Sequence, residues 1–213
     1  MQVYKLFLSS LVLVWVASVA VGSEMTLPDL IERHTEARGG RGAIEAAQTL
    51  EIDLHIVEST FEVRGLYRAD RRERMRIDIF AGADRVFSEG FNGSAGWQWK
   101  GGEEHADSIT GEKAAALRHG AILNLRGLHE LQALGHRVRY LGLEDLEGVE
   151  LHAIETTLDD GFKRYDYLDP DSFLIVRSRT FRAFHPDLDA EKKWHETRFS
   201  DFRDVEGQVR SFT

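Results

Sequence analysis

From residue 50 onward the apolar residues fall on every second position. Leu50, Ile52, Leu54 and Ile56 alternate with Glu51, Asp53 and His55, which is the pattern of a strand with one buried face. The period repeats over 61–69 and over 74–80, where Met75, Ile77 and Ile79 alternate with Arg74, Arg76 and Asp78. Strands of similar length are expected over 85–91 and 96–100, with Asn92-Gly93 as the tight turn between them. Further strands are expected over 137–143, 149–158, 162–168, 173–184 and 193–204, with a short last one over 208–213. Their connections carry turn residues: Glu147-Gly148, Asp159-Asp160-Gly161, Asp169-Pro170-Asp171-Ser172 and Glu206-Gly207. Evenly spaced strands joined by hairpins imply one large antiparallel sheet rather than βαβ units. Twist accumulates across that many strands, so the sheet must curl, split or close.

Two stretches break the alternation. Residues 27–38 read as a helix opened by Thr26 with Pro28 in its first turn and stopped by Gly39-Gly40, and a short helix over 42–47 follows. Residues 110–134 are rich in Ala and Leu and read as helical in two pieces, broken near Gly120 or Gly127. A helix with an apolar stripe must bury it, and the concave face of a curled sheet is the natural place. The expected class is mainly β with α.

Composition narrows the compartment and the partners. Met1 to Lys5 is short and carries one positive charge, 6–21 is apolar apart from serines, and small residues follow at Ser18, Ala20, Gly22 and Ser23. Residues 1–22 therefore read as a secretory signal peptide, with cleavage after Ala20 or after Gly22, and 24–213 as a single domain. The competing reading, an uncleaved anchor, has an apolar run a little short of the ~20 residues a span needs. The chain has no cysteine, which excludes disulfides, thiol chemistry and lipoprotein acylation. With 27 Lys and Arg against 36 Asp and Glu it is acidic, which argues against a nucleic-acid partner.

Candidate chemistry is sparse. Ser94 in Gly93-Ser94-Ala95-Gly96 resembles a nucleophile elbow only superficially, because it sits between two strands. His129-Glu130 lacks the second histidine of a zincin motif, and His119 and His136 have no helical partner. His185 with Asp187 and Asp189, or His195 with Asp201, could meet in a folded sheet, but no spacing requires it; no metal and no cofactor are expected. The acidic turns at 159–161 and 169–172 lack the ligand ladder of a calcium loop. Arg64, Arg68, Arg71, Arg72, Arg74 and Arg76 form a basic patch, read as a solvated hairpin face or as a rim that meets anionic membrane head groups or an acidic partner.

Several segments resemble, in order, the outer-membrane lipoprotein-sorting (LolA-like) superfamily. They are Ala37-Arg38-Gly39-Gly40, Phe91-Asn92-Gly93-Ser94-Ala95-Gly96-Trp97, Leu143 to Leu151, Tyr167-Leu168-Asp169 and Phe199 to Gly207. The resemblance implies a periplasmic, non-enzymatic protein whose antiparallel sheet curls into an unclosed half β-barrel under a helical lid. It implies binding of acyl chains of lipids or lipoproteins. A sensor or assembly domain that binds an envelope protein partner is the second reading. Two departures stand out: the family's lid-latching arginine has only Arg38 and Arg41 near its place, and the residues after Gly207 are few, so the last strand is expected to be short. Residues expected to form the cavity wall are Leu54, Ile56, Met75, Ile77, Trp97, Trp99, Val138, Tyr140, Tyr165 and Tyr167, subject to strand register, since a one-residue slip inverts a face.

Overall fold

The computed structural model describes residues 25–183 and 191–213. The expected signal peptide and the end of the 173–184 strand lie outside these residues.

Two helices lead: α1 (Leu27–Ala37) and α2 (Gly40–Ala46). Thr26 and Asp29 form a reciprocal capping box at the start of α1, and Pro28 sits in its first turn, so local chemistry alone starts the helix where it does. Its stop at Gly39 is also physical. Gly39 has φ +105°, and a Cβ there would lie 1.9 Å from the carbonyl oxygen of Gly207. Gly39→Ala is therefore expected to cost about 3 kcal/mol, combining left-handed strain with a backbone collision. Denaturant melts would read it, and a loss within ~0.5 kcal/mol, as at an ordinary surface site, would contradict the close approach.

A six-stranded meander follows: β1 (Thr49–Val57), β2 (Glu62–Asp70), β3 (Arg74–Ala81), β4 (Asp84–Asn92), β5 (Gly96–Lys100) and β6 (Asp107–Ile109). Then come α3 (Gly111–Leu123) and α4 (Leu128–Ala133). A second meander contains β7 (Arg137–Leu146), β8 (Val149–Thr157), β9 (Lys163–Leu168), β10 (Ile175–Arg182) and β11 (Lys193–Arg198), in the order β11-β10-β9-β8-β7. A hairpin of β12 (Phe202–Val205) and β13 (Gln208–Ser211) ends the chain.

The expected single sheet is thus corrected to two antiparallel sheets and a hairpin, and the sheets do not pair to close a barrel. The reason is α3 and α4, which separate β6 from β7 and occupy the space between the sheets. The expected strand over 193–204 also divides, because Asp201 takes φ 51° and the chain turns before β12. The C-terminal hairpin folds back onto the first helices: Val209 N–H donates to the Arg38 carbonyl at 3.2 Å and Gln208 Nε2 to that of Ala43 at 2.8 Å.

α3 touches both sheets. Leu117 and Ala121 join Tyr67, Met75 and Phe91 on the six-stranded sheet, while Ile122 and Leu123 join Leu30 of α1, Leu131 of α4, and Val138 and Ile154 on the five-stranded sheet. A helix gripped on two sides needs apolar residues around more of its circumference than a surface helix does. That is why 110–134 is rich in Ala and Leu without a single stripe.

Candidate functional site: a hollow between the sheets

A hollow of about 650 Å³ lies between the two sheets and under α3. Its walls come from β4 and β5 on one side, from β9, β10 and β11 on the other, and from the α3 face between them. Phe87, Leu117, Leu123, Phe162 and Phe199 supply apolar surface. Glu89, Gln98, Lys100, Lys113, Arg164 and Arg182 supply charge and hydrogen bonding, with Ser178, Thr180 and Thr197 beneath. A second hollow of about 570 Å³ shares Ala116, His119, Phe162 and Arg182 with the first, so these four side chains stand between the two.

The polar groups around the hollow are organised. Lys113 Nζ donates to Gln98 Oε1 at 2.6 Å. Asp166, fully buried, accepts from Arg164 Nε at 2.9 Å and from the Ser178 hydroxyl. His119 stacks on Phe162 with centroids 3.9 Å apart, and its Nε2 lies 2.6 Å from Asp160 Oδ2. Burial holds the His119 imidazole below its usual range, and the Asp160 carboxylate opposes that only in part.

α3 is tied at several points. Arg118 makes a forked contact with Asp159 at 2.8 and 2.9 Å and reaches Glu73 at 3.4 Å, linking the β8–β9 turn to the β2–β3 turn. The Tyr67 hydroxyl donates to the Gly120 carbonyl and accepts from Asn124 Nδ2. The helix roofs the hollow under these latches.

The expected wall residues divide by face. Strand pairing puts Leu54, Ile56, Met75 and Ile77 on the helix side of the six-stranded sheet, where Leu54 and Ile77 pack beside Met75 and Tyr67. Val138 and Tyr140 lie on the helix side of the other sheet, Val138 buried and the Tyr140 hydroxyl 2.8 Å from His152 Nδ1. Trp97 and Trp99 lie on the opposite face of β5, under Arg76 and Arg85 at 5.6 and 4.4 Å from the ring centroids. Tyr167 likewise faces away from α3, in a cluster with Leu146, Leu151 and Ala153, and Tyr165 lies beside it. None of these residues lines the main hollow; Tyr165 lines the second. Those that do line it are mostly polar, with apolar Phe87 on β4, Ala116, Leu117 and Leu123 on α3, and Phe162 and Phe199 at strand ends, and an apolar alternation does not single them out.

The other motifs resolve into structure. Asn92 Oδ1 accepts from the Ser94 and Ala95 backbone N–H groups and from the Ser94 hydroxyl, which makes this segment a turn. Asp169 does the same for Asp171 and Ser172. His129 is buried against Thr35 and Glu45. His195 bonds the Arg182 carbonyl and Asp201 pairs with Arg203, while His185, Asp187 and Asp189 lie outside the described residues. Among the described residues no group of three His, Asp or Glu could hold a metal ion. The basic patch is matched by the acids of β1: Arg64 meets Asp53 and Arg68 meets Glu51.

With 12% sequence identity and a TM-score of 0.55, the chain is similar to a LolA superfamily protein from Nitrosomonas europaea, over 88% of this chain and 83% of that one. The fold is LolA-like. A DUF1329 family protein from Desulfovibrio piger (13% identity, TM-score 0.51) is matched over 87% of this chain and 83% of that one. A domain described as an outer membrane lipoprotein-sorting protein, from Vibrio parahaemolyticus, is similar at 10% identity and a TM-score of 0.50, over 85% of this chain and 81% of that one. No protein-family profile and no curated protein matches the sequence. In the LolA-like frame the hollow is the space between an unclosed pair of sheets and its helical cover.

Proposed function

We propose that this chain is an exported, periplasmic, non-enzymatic carrier or receptor that covers an acyl chain of a lipid or lipoprotein in the hollow. In this reading residues 1–22 are its signal peptide and 24–213 its single binding domain. The hollow under α3 carries the proposal. Its 650 Å³ falls among the roughly 300–1,000 Å³ of small-ligand sites. At about 30 Å³ per methylene, the share a water takes in the liquid, a ~16-carbon chain would fit. Left in water, such a chain would cost roughly 13 kcal/mol at about 0.8 kcal/mol per methylene. The helix-side residues Leu54, Ile56, Met75, Ile77, Val138 and Tyr140 extend the apolar wall when α3 lifts, and Trp97, Trp99, Tyr165 and Tyr167 serve the outer faces.

The test is to purify the protein from the periplasm of an expressing strain and analyse it by native mass spectrometry. The expected result is a bound species of amphiphile mass. Ala116→Trp, which fills the boundary between the two hollows, should remove that species at an overpacking cost of about 1–3 kcal/mol. An empty wild-type protein that also fails to take up a lipophilic fluorophore would sink the proposal.

A further inference from the structure

The hollow is cationic inside an acidic protein. Lys100, Lys113, Arg164 and Arg182 line it against the single acid Glu89, while the whole chain carries a net charge of −9. Arg210 Nη1 donates to the carbonyl of Asn124, itself a lining residue, at 3.1 Å. Arg38 is placed beside β13 by the bond from Val209 N–H to its carbonyl.

These three arginines differ in their partners. Arg164 is paired with buried Asp166, and Arg210 with Gln208 Oε1 and the Asn124 carbonyl. The Arg38 guanidinium has neither a hydrogen bond nor an ion pair among the described residues. It is largely enclosed by protein, with the charges of Arg210 and Arg164 close to it. The acid that acts on it, Glu130, is already engaged by Arg71 and by the Gly127 N–H. Burial, with Arg210 and Arg164 nearby, brings Arg38 down to about 10, so it stays charged at neutral pH. An enclosed charge without a counter-ion is costly, and removing it should help the empty protein.

We infer that Arg38, Arg164 and Arg210 form a head-group site at the end of the hollow nearest α1, and that the ligand is a single-chain amphiphile with an anionic head, carboxylate or phosphate. Guanidinium groups suit both heads, because their donors match the planar or tetrahedral oxygens in pairs. The tail would run along Leu123, Leu117 and Phe87. This inference rests on the acyl-chain reading above and narrows it to a charged ligand class.

Titration of the mature protein with laurate, dodecyl phosphate and dodecanol tests it, since the three share a chain and differ in the head. Laurate, dodecyl phosphate or both are expected to bind at least ~10-fold tighter than dodecanol, the scale of one charge-assisted contact. The anion that binds tighter tells a carboxylate source from a phosphate source. Arg38→Gln should erase the preference, leave dodecanol binding within twofold and raise the melting temperature of the empty protein by ~2–4 °C. Arg210→Gln provides the same binding readout should the Arg38 variant fail to fold. Dodecanol binding as tightly as both anions, or a preference that survives the substitutions, overturns the head-group site while leaving the acyl-chain hollow standing. If none of the three binds, the hollow reading falls and the head-group site with it.

Discussion

Replacing Arg71 with methionine is expected to cost about 3–5 kcal/mol, the scale for leaving one member of a buried ion pair uncompensated. Arg71 follows β2 and reaches across to two elements, α2 with its C-cap and α4. Its guanidinium pairs with Glu130 of α4, with the two side chains only 16% and 11% exposed. Its Nε donates to the Ala47 carbonyl at 2.6 Å, its Nη2 bonds the Ile44 carbonyl, and its own carbonyl accepts from Arg126 Nη2 at 2.9 Å. Burial alone would push the Glu130 carboxyl up; Arg71 and the Gly127 N–H reverse this and hold it low. Methionine keeps the apolar stem and abandons Glu130 in a dry site. A melting-temperature drop of roughly 10 °C should follow, and Arg71→Met combined with Glu130→Leu should recover part of it. A loss under ~1 kcal/mol, as at a surface ion pair, would show that Arg71 does not clamp these elements.

Arg71 also illustrates what the sequence could not disclose. In the chain it is one of six arginines between residues 64 and 76. Arg64 and Arg68 lie on an outer face against Asp53 and Glu51, while Arg71 turns inward to α2 and α4. Nothing local separates these roles, because Arg71 is placed by the β2–β3 turn and by partners as far as 59 residues away. The mainly β class, the helices at both places and most turns were legible, since alternation, capping residues and Asx chemistry act within a few residues. The split into two sheets was not, because pairing between distant strands leaves no local mark. Trp97 and Trp99 show how a face is lost. The segment Gly96-Trp97-Gln98-Trp99-Lys100 suggests tryptophans toward the core, but a Cβ at Gly96 would lie 2.9 Å from Ala114 Cβ. α3 sits that close to the sheet at Gly96, which puts Gln98 and Lys100 toward the hollow and both tryptophans on the far side. The polarity of the site follows from the same register.

Acid should loosen the protein before its carboxylates protonate, and His34 of α1 should account for about 3 kcal/mol of that loss. Only 2% exposed, the ring lies 2.8 Å from the Phe173 carbonyl through Nδ1, so Nδ1–H donates and Nε2 is left buried without a partner among the described residues. Burial lowers its pKa from 6.5 to about 4, and the positive charges of Arg38 and Arg164 push the same way against the bond to Phe173. The folded chain therefore binds the proton more weakly than the unfolded chain does. The stabilisation is complete above 6.5 and drains as pH falls from there toward about 4. His119, His129 and His152 are lowered as well, burial first in each case, so their contributions share this sign. His34→Asn keeps a donor where Nδ1–H stands and cannot titrate. Its stability, read by denaturant melts across that window, should fall with a visibly shallower slope than the wild type. An unchanged slope would mean that His34 is already protonated in the native state. Protonation would place a second uncompensated cation beside Arg38, at the junction of α1 with the Asp169–Phe173 turn. Retention of an anionic ligand should then slow the acid loss, because the ligand would neutralise the charge that His34 and Arg38 share.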